Sequence, residues 1–297
     1  MEWQKIKGVI VSTITAFTAE GELDEKALRE NYVYYLNRGA HGLGVLGTTS
    51  EDHLLRQDER RRIVEIARSE AKGRAFVVAG SGMIGTRETV EMTKIVEDAG
   101  ADVALILAPF YQRPTEEGVI KHFKTASDAV DIPMMVYNMP PITSNVTPQM
   151  LERLCKEARN VKALKDSSRD LHELSDTIRL VGDKMSVCTG EDDLFMPSLL
   201  LGARGGYLAG ANIAIDIELG IYNAVREGNL EEARKLHFKL VTLTEAYGGL
   251  GFQTNLKEAV RILGRPAGEG DRSPLLPRAS DERRDALKKA LKQAGLL

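Results

Sequence analysis

The sequence predicts an α/β fold, a (β/α)8 TIM barrel with a C-terminal helical extension. Eight short apolar runs rich in β-branched residues recur along the chain, and amphipathic stretches separate them. Such alternation is typical of βαβ units with a parallel sheet. The runs are almost continuously apolar, as expected for strands covered on both faces. Eight such units favour a closed barrel over an open, doubly wound sheet.

The expected strands lie in the first 210 residues, within 8–17, 42–47, 75–80, 102–109, 132–138, 161–167, 185–191 and 204–210. The amphipathic stretches predict helices over 24–38, 57–71, 86–99, 115–130 and 148–158. Helix-start signals support several of them. Asp24 and Thr115 are good N-cap residues, Thr86 precedes an acidic first turn, and Thr147 precedes Pro148.

The strand pattern ends after Asn212. Beyond it the sequence predicts helices over 216–226, 230–247, 254–263 and 281–293, with a Gly/Pro-rich connector at 264–277. We therefore expect a barrel over 1–212, with the active site at the C-terminal strand ends. Residues 213–297 form a helical region packed on the barrel, and no linker marks a second globular domain.

Composition excludes several classes of function. The chain of 297 residues is 43% hydrophobic and 28% charged, with a net charge of -3. It lacks the surplus of basic residues that would indicate nucleic-acid binding. The apolar run near the N-terminus is too short for a membrane span and is broken by hydroxyl residues. Two cysteines and five scattered histidines predict neither disulfides nor a metal site. We expect a cytoplasmic protein with no metal site and no membrane contact.

Polar groups gather where the strands should end, which is where barrels of this kind place their active sites. Lys165 ends the sixth run, in "NVKALKDSS". Burial in a barrel disfavours the ammonium form of a lysine, and a free amine attacks a ketone to give a Schiff base. The ordinary alternative is a lysine that extends from the strand end into water.

Two neighbouring segments favour the catalytic interpretation of Lys165. Tyr137 ends the preceding strand and should face the same mouth, where a phenol can shuttle protons; the alternative is a core aromatic. "GTTSE" (47–51) brings hydroxyls and consecutive backbone N–H groups after a strand, a turn suited to a carboxylate. By itself that turn is equally typical of a plain helix start.

Together "GTTSE", "YNMP" and "KDSS" resemble the dihydrodipicolinate synthase / N-acetylneuraminate lyase family of pyruvate-dependent class I aldolases. The lysine follows Tyr137 by 28 residues, and the resemblance covers almost the whole chain. It implies a lyase that needs no metal or organic cofactor and assembles as a homotetramer, a dimer of dimers.

The resemblance also implies roles for individual residues. Lys165 would form the Schiff base with pyruvate or another 2-oxo acid, and Tyr137 would relay protons. Thr48 and Thr49 would bind the carboxylate, and Thr48 would link Tyr137 to Tyr111. Tyr111 would cross the tight dimer interface into the neighbour's site. The pocket would further be lined by Gly190, Tyr207 and Ile142.

Three positions depart from the family pattern. Ser50 replaces a second glycine in "GTTSE", which predicts a slightly altered pocket lip. Tyr207 stands where smaller apolar residues are common. Ile142 occupies the position of an arginine that binds the carboxylate of aspartate semialdehyde in the synthase branch. Isoleucine cannot make that charge-assisted bond, so the second substrate stays open.

Three hypotheses follow. The first is a Schiff-base lyase or aldolase that makes or breaks a C–C bond between a 2-oxo acid and an aldehyde, such as a 2-keto-3-deoxy sugar acid aldolase or dehydratase. Its runner-up is 4-hydroxy-tetrahydrodipicolinate synthase, which would need Arg113 or another cation in place of the arginine. The second is a catalytically silent barrel with a binding role. The third is a phosphate site at the Gly-rich segment 202–212.

Overall fold

The computed structural model describes residues 2–270, 272–275 and 278–297. Of the predicted connector 264–277, residues 271, 276 and 277 lie outside the described residues. Eight parallel strands form a closed barrel in which each strand pairs with the next and the last with the first. They are β1 (Gly8–Ser12), β2 (Gly42–Val45), β3 (Phe76–Gly80), β4 (Val103–Leu107), β5 (Met134–Asn138), β6 (Val161–Asp166), β7 (Ser186–Thr189) and β8 (Gly205–Leu208).

The predicted (β/α)8 barrel is confirmed, and helices follow the strands as expected. They are α1 (Glu25–Asn37), α2 (Gln57–Ala71), α3 (Thr86–Asp98), α4 (Glu116–Asp128), α5 (Pro148–Glu157), α6 (Leu171–Val181), α7 (Phe195–Leu201) and α8 (Ala211–Glu227). The C-terminal helices are α9 (Leu230–Tyr247), α10 (Phe252–Ile262) and α11 (Asp281–Ala294). None of the helices within the described part of the chain is long and apolar enough to cross a membrane.

Several helix starts have the capping bonds that their sequences predict. The side chain of Asp24 accepts from Ala27 N at 3.0 Å at the start of α1. Thr147 accepts from Met150 N at 3.3 Å, with Pro148 in the first turn of α5. These bonds satisfy backbone donors that a helix leaves free at its N-terminus.

The start of α8 differs from the prediction, because this helix begins at Ala211 rather than at residue 216. Asn212 is the reason, since its buried side chain connects the helix to β1. It donates to Ser12 O at 2.7 Å and accepts from Ile14 N at 3.2 Å and from Tyr35 Oη at 2.9 Å. The backbone departs from helical geometry at Ala214 (φ -134°, ψ 34°), so a kink separates this first turn from the rest of α8. The proposed boundary at residue 212 falls in the first turn of α8 and stays a prediction.

Two hydrophobic clusters hold the barrel together. The larger one fills the layer between the strands and the surrounding helices. The smaller one lies inside the barrel and includes Ile10, Val78, Met135, Tyr137 and Tyr207. The interior is therefore packed with side chains, and space for a ligand is left at the carboxyl ends of the strands.

Candidate active site

A cavity of about 230 Å³ opens at the carboxyl ends of the strands. Its walls come from the ends of six strands, from the loops that follow them and from the C-terminal helices. The lining residues are Ser12, Thr48, Thr49, Tyr137, Met139, Lys165, Ser167, Arg169, Gly190, Glu191, Asp192, Tyr207, Ala209, Thr244, Tyr247, Gly248, Gly249 and Phe252. Six of the eight site residues that the sequence predicted lie on these walls.

Lys165 lies at the end of β6 with 3% of its surface exposed. Its register partner on β5 is Tyr137, which explains why the two side chains meet. The amine Nζ lies 3.9 Å from the ring centroid of Tyr137 and 4.3 Å from that of Tyr207. Two aromatic faces therefore enclose the amine and keep bulk water away from it.

Gly190 makes room for the lysine. A Cβ atom at this position would lie 2.8 Å from Lys165 Cε and 2.2 Å from Ser167 Oγ, closer than carbon and oxygen atoms approach without displacement. The absence of a side chain thus lets the loop after β7 pass directly over the lysine.

Tyr207 forms the floor beneath the amine and is fully buried. Gly44 accommodates it, because a Cβ at Gly44 would lie 2.2 Å from Tyr207 Cζ. The Tyr207 hydroxyl has no hydrogen-bond partner among the described residues. Burial raises the pKa of this phenol well above its ordinary value, so it stays protonated as a potential donor.

The "GTTSE" segment forms one short 3-10 turn after β2, over Thr48–Ser50. Thr48 lines the cavity, and Thr49 Oγ1 accepts from Ser12 Oγ at 2.9 Å. Ser50 is buried and does not line the cavity, since its hydroxyl donates to Thr13 O at 2.6 Å. The expectation that Ser50 alters the pocket lip is wrong for this reason. The left-handed residue of the turn is Glu51 (φ 57°), so position 50 needs no glycine.

Tyr137 is nearly buried, and its hydroxyl donates to Met139 Sδ at 3.1 Å. This weak acceptor holds the phenol at the cavity wall, and no bond from Tyr137 to Thr48 is formed in this structure. Asp166 follows Lys165 and points to the other face of β6. Burial raises the pKa of Asp166 to about 6, although Ser168 and Asn138 donate to its carboxyl at 2.9 and 3.2 Å.

Two predicted site residues lie away from the lysine cavity. Tyr111 is 86% exposed and has a left-handed backbone (φ 71°). Ile142 is half-exposed and lines a neighbouring cavity of about 220 Å³, which shares Thr48 and Tyr137 with the first. A backbone bridge between Phe110 and Thr143 joins the two loops here. The walls of this second cavity are mostly apolar and include Leu46, Leu107 and Phe110.

Charged residues on the cavity wall were missed in the sequence. Arg169 has a left-handed backbone (φ 63°) and donates to Glu191 and to Asp193. Asp192 lies at the wall with its Oδ1 accepting from Gly210 N at 2.7 Å. Burial raises the pKa values of Glu191 and Asp192 above their ordinary range. The signal for all of them was the run of charges in "TGEDD" and "KDSSRD" at two strand ends.

Two other sequence interpretations find no support at this site. Arg113 is exposed and lines a separate surface cavity with Pro114, Ser144 and Asn145. The glycines of segment 202–212 have structural reasons, since Gly202 ends α7 with a left-handed backbone (φ 109°) and Gly205 packs against β1. A Cβ at Gly205 would lie 2.2 Å from Gly8 O on β1, so this position needs a glycine whatever the barrel binds.

A nearly buried lysine at the end of the sixth strand, enclosed by two tyrosines and faced by a hydroxyl-rich turn, is the arrangement of the Schiff-base aldolases built on (β/α)8 barrels. Comparison with known proteins agrees. The model of the "dihydrodipicolinate synthetase family" matches residues 5–294, and the chain belongs to this family. It is a lyase of the class I aldolase type, as predicted.

Individual relatives cover the chain almost completely. The 4-hydroxy-tetrahydrodipicolinate synthase of Thermodesulfovibrio yellowstonii is 36% identical over 295 residues, which are 98% of this chain and 99% of the relative. A solved dihydrodipicolinate synthase from Aquifex aeolicus is 33% identical, with a TM-score of 0.93 over 98% of this chain and 99% of that chain. YagE, a prophage protein from E. coli K12 solved in complex with pyruvate, is 29% identical, with a TM-score of 0.94 over 98% and 99%.

Proposed function

We propose that Lys165 forms a Schiff base with the keto group of pyruvate or another 2-oxo acid, and that the enzyme joins this unit to an aldehyde or releases one from it. The observation that carries the proposal is the amine itself. Its Nζ lies against the rings of Tyr137 and Tyr207, in a cavity that also contains Thr48 and Thr49. The family relationship and the pyruvate bound to YagE support the same first substrate.

The chemistry follows from these groups. The free amine of Lys165 adds to the keto carbon, and the carbinolamine loses water to give an iminium ion. Loss of a proton from the adjacent methyl group gives an enamine, which attacks the aldehyde carbon. Water then hydrolyses the product iminium and frees Lys165. Tyr137 relays protons in the dehydration and in the hydrolysis, while Thr48 and Thr49 hold the carboxylate.

The second substrate is a neutral, hydroxylated aldehyde, as in a 2-keto-3-deoxy sugar acid aldolase. A 2-keto-3-deoxy sugar acid dehydratase would use the same Schiff base to eliminate water and would need no aldehyde. Ile142 offers no cation for a second carboxylate. The Arg169 guanidinium on the cavity wall is already bonded to Glu191 and Asp193. Carboxylate and hydroxyl groups such as Glu191, Asp192 and Ser167 suit the hydroxyls of a sugar chain and repel an additional anion.

A second candidate is 4-hydroxy-tetrahydrodipicolinate synthase, which condenses pyruvate with aspartate semialdehyde. The names of the curated relatives and the double threonine in "GTTSE" favour it. It requires a cation for the semialdehyde carboxylate. Arg113 lies on a separate surface cavity, so Arg169 would have to exchange its acidic partners for the substrate.

We further propose that the active protein is a cytoplasmic homotetramer in which Tyr111 completes the site of a neighbouring subunit. The high exposure of Tyr111 in the single chain supports this, because it leaves the ring free to contact a second subunit. The two free cysteines, Cys155 and Cys188, are compatible with a reducing compartment.

Reduction with borohydride in the presence of pyruvate tests the first step. We expect a pyruvyl adduct on Lys165, measured by intact mass and located by peptide mapping. Lys165→Met should abolish the adduct. Lys162→Met, on the same strand, should leave it unchanged and serves as the matched control. A folded protein with no adduct would refute the proposal.

A second experiment separates the two aldehyde partners. Pyruvate release from 2-keto-3-deoxy sugar acids is followed with a coupled dehydrogenase, and condensation with aspartate semialdehyde is measured on the same preparation. We expect cleavage of a sugar acid to have the higher kcat/KM. A higher kcat/KM with aspartate semialdehyde would favour the synthase instead.

A further inference from the structure

Helix α10 of the C-terminal region contacts the "GTTSE" turn at two points, Thr48 and Glu51. Lys257 Nζ lies 2.5 Å from Glu51 Oε1, in an ion pair whose side chains are 6% and 2% exposed. One turn earlier, Gln253 Nε2 donates to Thr48 O at 3.4 Å. The two contacts come from one face of the helix because their residues are four apart.

The turn has a conformation that requires such support. Glu51 is a buried residue with a left-handed backbone (φ 57°), a conformation that residues other than glycine rarely adopt. Its backbone N–H donates to Thr48 O at 3.2 Å, so the position of Glu51 fixes the 3-10 turn that carries Thr48 and Thr49. Lys257 also lies 4.7 Å from the ring centroid of Phe17, which limits where its ammonium can move.

We propose that Lys257 is a positioning residue for carboxylate recognition. By holding Glu51, it fixes the direction in which Thr48 and Thr49 present their hydroxyl and N–H groups to the 2-oxo acid. The inference rests on the proposed function, in which those threonines bind the carboxylate. It gives the C-terminal helical region a part in substrate binding. A buried ion pair often adds little to stability against an apolar replacement, so a role in geometry accounts for it better.

The test compares two ketones that differ in the carboxylate. Pyruvate carries it, and hydroxyacetone has a neutral hydroxymethyl group in its place. The rate of adduct formation on Lys165 with cyanoborohydride is measured against the concentration of each ketone. For Lys257→Met we expect the half-saturating concentration of pyruvate to rise about tenfold or more, since the carboxylate contacts are loosened. The limiting rate with pyruvate and the rate with hydroxyacetone should change less than threefold.

Four further variants make the result specific. Lys257→Arg keeps the charge and should restore at least half of the lost affinity on a logarithmic scale. Glu51→Gln combined with Lys257→Gln removes both charges of the ion pair together, and it should raise the half-saturating concentration of pyruvate as Lys257→Met does. If neither Lys257→Met nor the double variant folds, the uncharged substitution Gln253→Leu removes the other contact and should raise the half-saturating concentration of pyruvate about threefold. Lys235→Met breaks an exposed ion pair on α9 and should change nothing.

The outcomes separate the two proposals. No adduct on Lys165 in the unaltered protein would refute the proposed function. An adduct there, together with a folded Lys257→Met variant of unchanged pyruvate dependence, would refute only the role of Lys257. Equal losses for pyruvate and hydroxyacetone would also refute it, because they would indicate general damage to the site and not to carboxylate binding.

Discussion

Gly190 and Lys165 approach so closely that a single added carbon on the glycine would lie 2.8 Å from Lys165 Cε. Gly190→Ala must therefore displace the lysine, Ser167 or the loop between them. Displacement of a reacting group by about 1 Å can cost about 100-fold in rate. We expect adduct formation between Lys165 and pyruvate to slow by about that factor, measured by cyanoborohydride trapping and intact mass.

Gly73→Ala is the control for this variant. Gly73 has a left-handed backbone (φ 74°) and open space around it, so alanine there should cost about 1 kcal/mol of stability without reaching the site. Its trapping rate should equal that of the unaltered protein. A Gly190→Ala variant that traps pyruvate at the normal rate would show that the added methyl group does not displace Lys165 from its reactive position.

Much of this fold was predictable because local patterns and the overall architecture agree. The β-branched runs predicted all eight strands, and Asp24, Thr115 and Thr147 predicted helix starts that the structure confirms. Lys165 and Tyr137 could be predicted as neighbours, since parallel strands of consecutive units end at one face of a barrel. In the structure Tyr137 on β5 and Lys165 on β6 are register partners, so their side chains meet at that face.

Other features depend on contacts between distant residues and could not be predicted. Asn212 starts α8 early because it bonds to β1, about 200 residues away in the chain. Arg169 reaches the cavity only because Glu191 and Asp193 hold it there. Ser50 was misinterpreted because its hydroxyl turns to Thr13, which sequence spacing does not indicate.

The unpartnered hydroxyl of Tyr207 gives a prediction on stability. A buried polar group without a hydrogen bond costs about 1–3 kcal/mol, so removing it should help folding. We expect Tyr207→Phe to raise the free energy of unfolding of the ligand-free protein by about 1 kcal/mol, measured by urea denaturation.

Tyr35→Phe is the matched comparison, because the buried Tyr35 hydroxyl donates to Asn212 Oδ1 at 2.9 Å. Removing this bond should lower the free energy of unfolding by about 1 kcal/mol. If Tyr207→Phe destabilises the protein as Tyr35→Phe does, then the Tyr207 hydroxyl has a bonding partner in solution, such as water.

The raised pKa of the buried Asp166 carboxyl predicts that the free energy of unfolding depends on pH. Burial raises the pKa of its carboxyl from 3.8 to about 6 in the folded chain. The folded state therefore binds this proton more tightly than the unfolded state does. The resulting stabilisation is complete below pH 3.8 and is lost as pH rises through 6. A shift of about two pKa units corresponds to about 3 kcal/mol.

Asp166→Asn removes this titration and keeps a side chain of the same shape. We expect the variant to gain up to about 3 kcal/mol relative to the unaltered protein between pH 4 and pH 7, in urea denaturation at four pH values. His172→Gln, a change at an exposed residue of α6, serves as the control. A difference between variant and parent that stays constant with pH would contradict the raised pKa of Asp166.

Substitution of Ile142 by arginine tests whether the rest of the site is that of a synthase. Its side chain is 51% exposed at the apolar cavity next to Tyr137, so an arginine there has room to reach a carboxylate. A charge-assisted bond of this kind is worth about 2–4 kcal/mol when enclosed, or about 30- to 1000-fold in efficiency, and solvent reduces it at this exposure. We expect Ile142→Arg to raise kcat/KM with aspartate semialdehyde by about tenfold.

Ile84→Arg is the control, because it adds the same charge at a similarly exposed residue and should have no effect. If Ile142→Arg gains nothing while its Lys165 still traps pyruvate, the surrounding cavity is not built for aspartate semialdehyde.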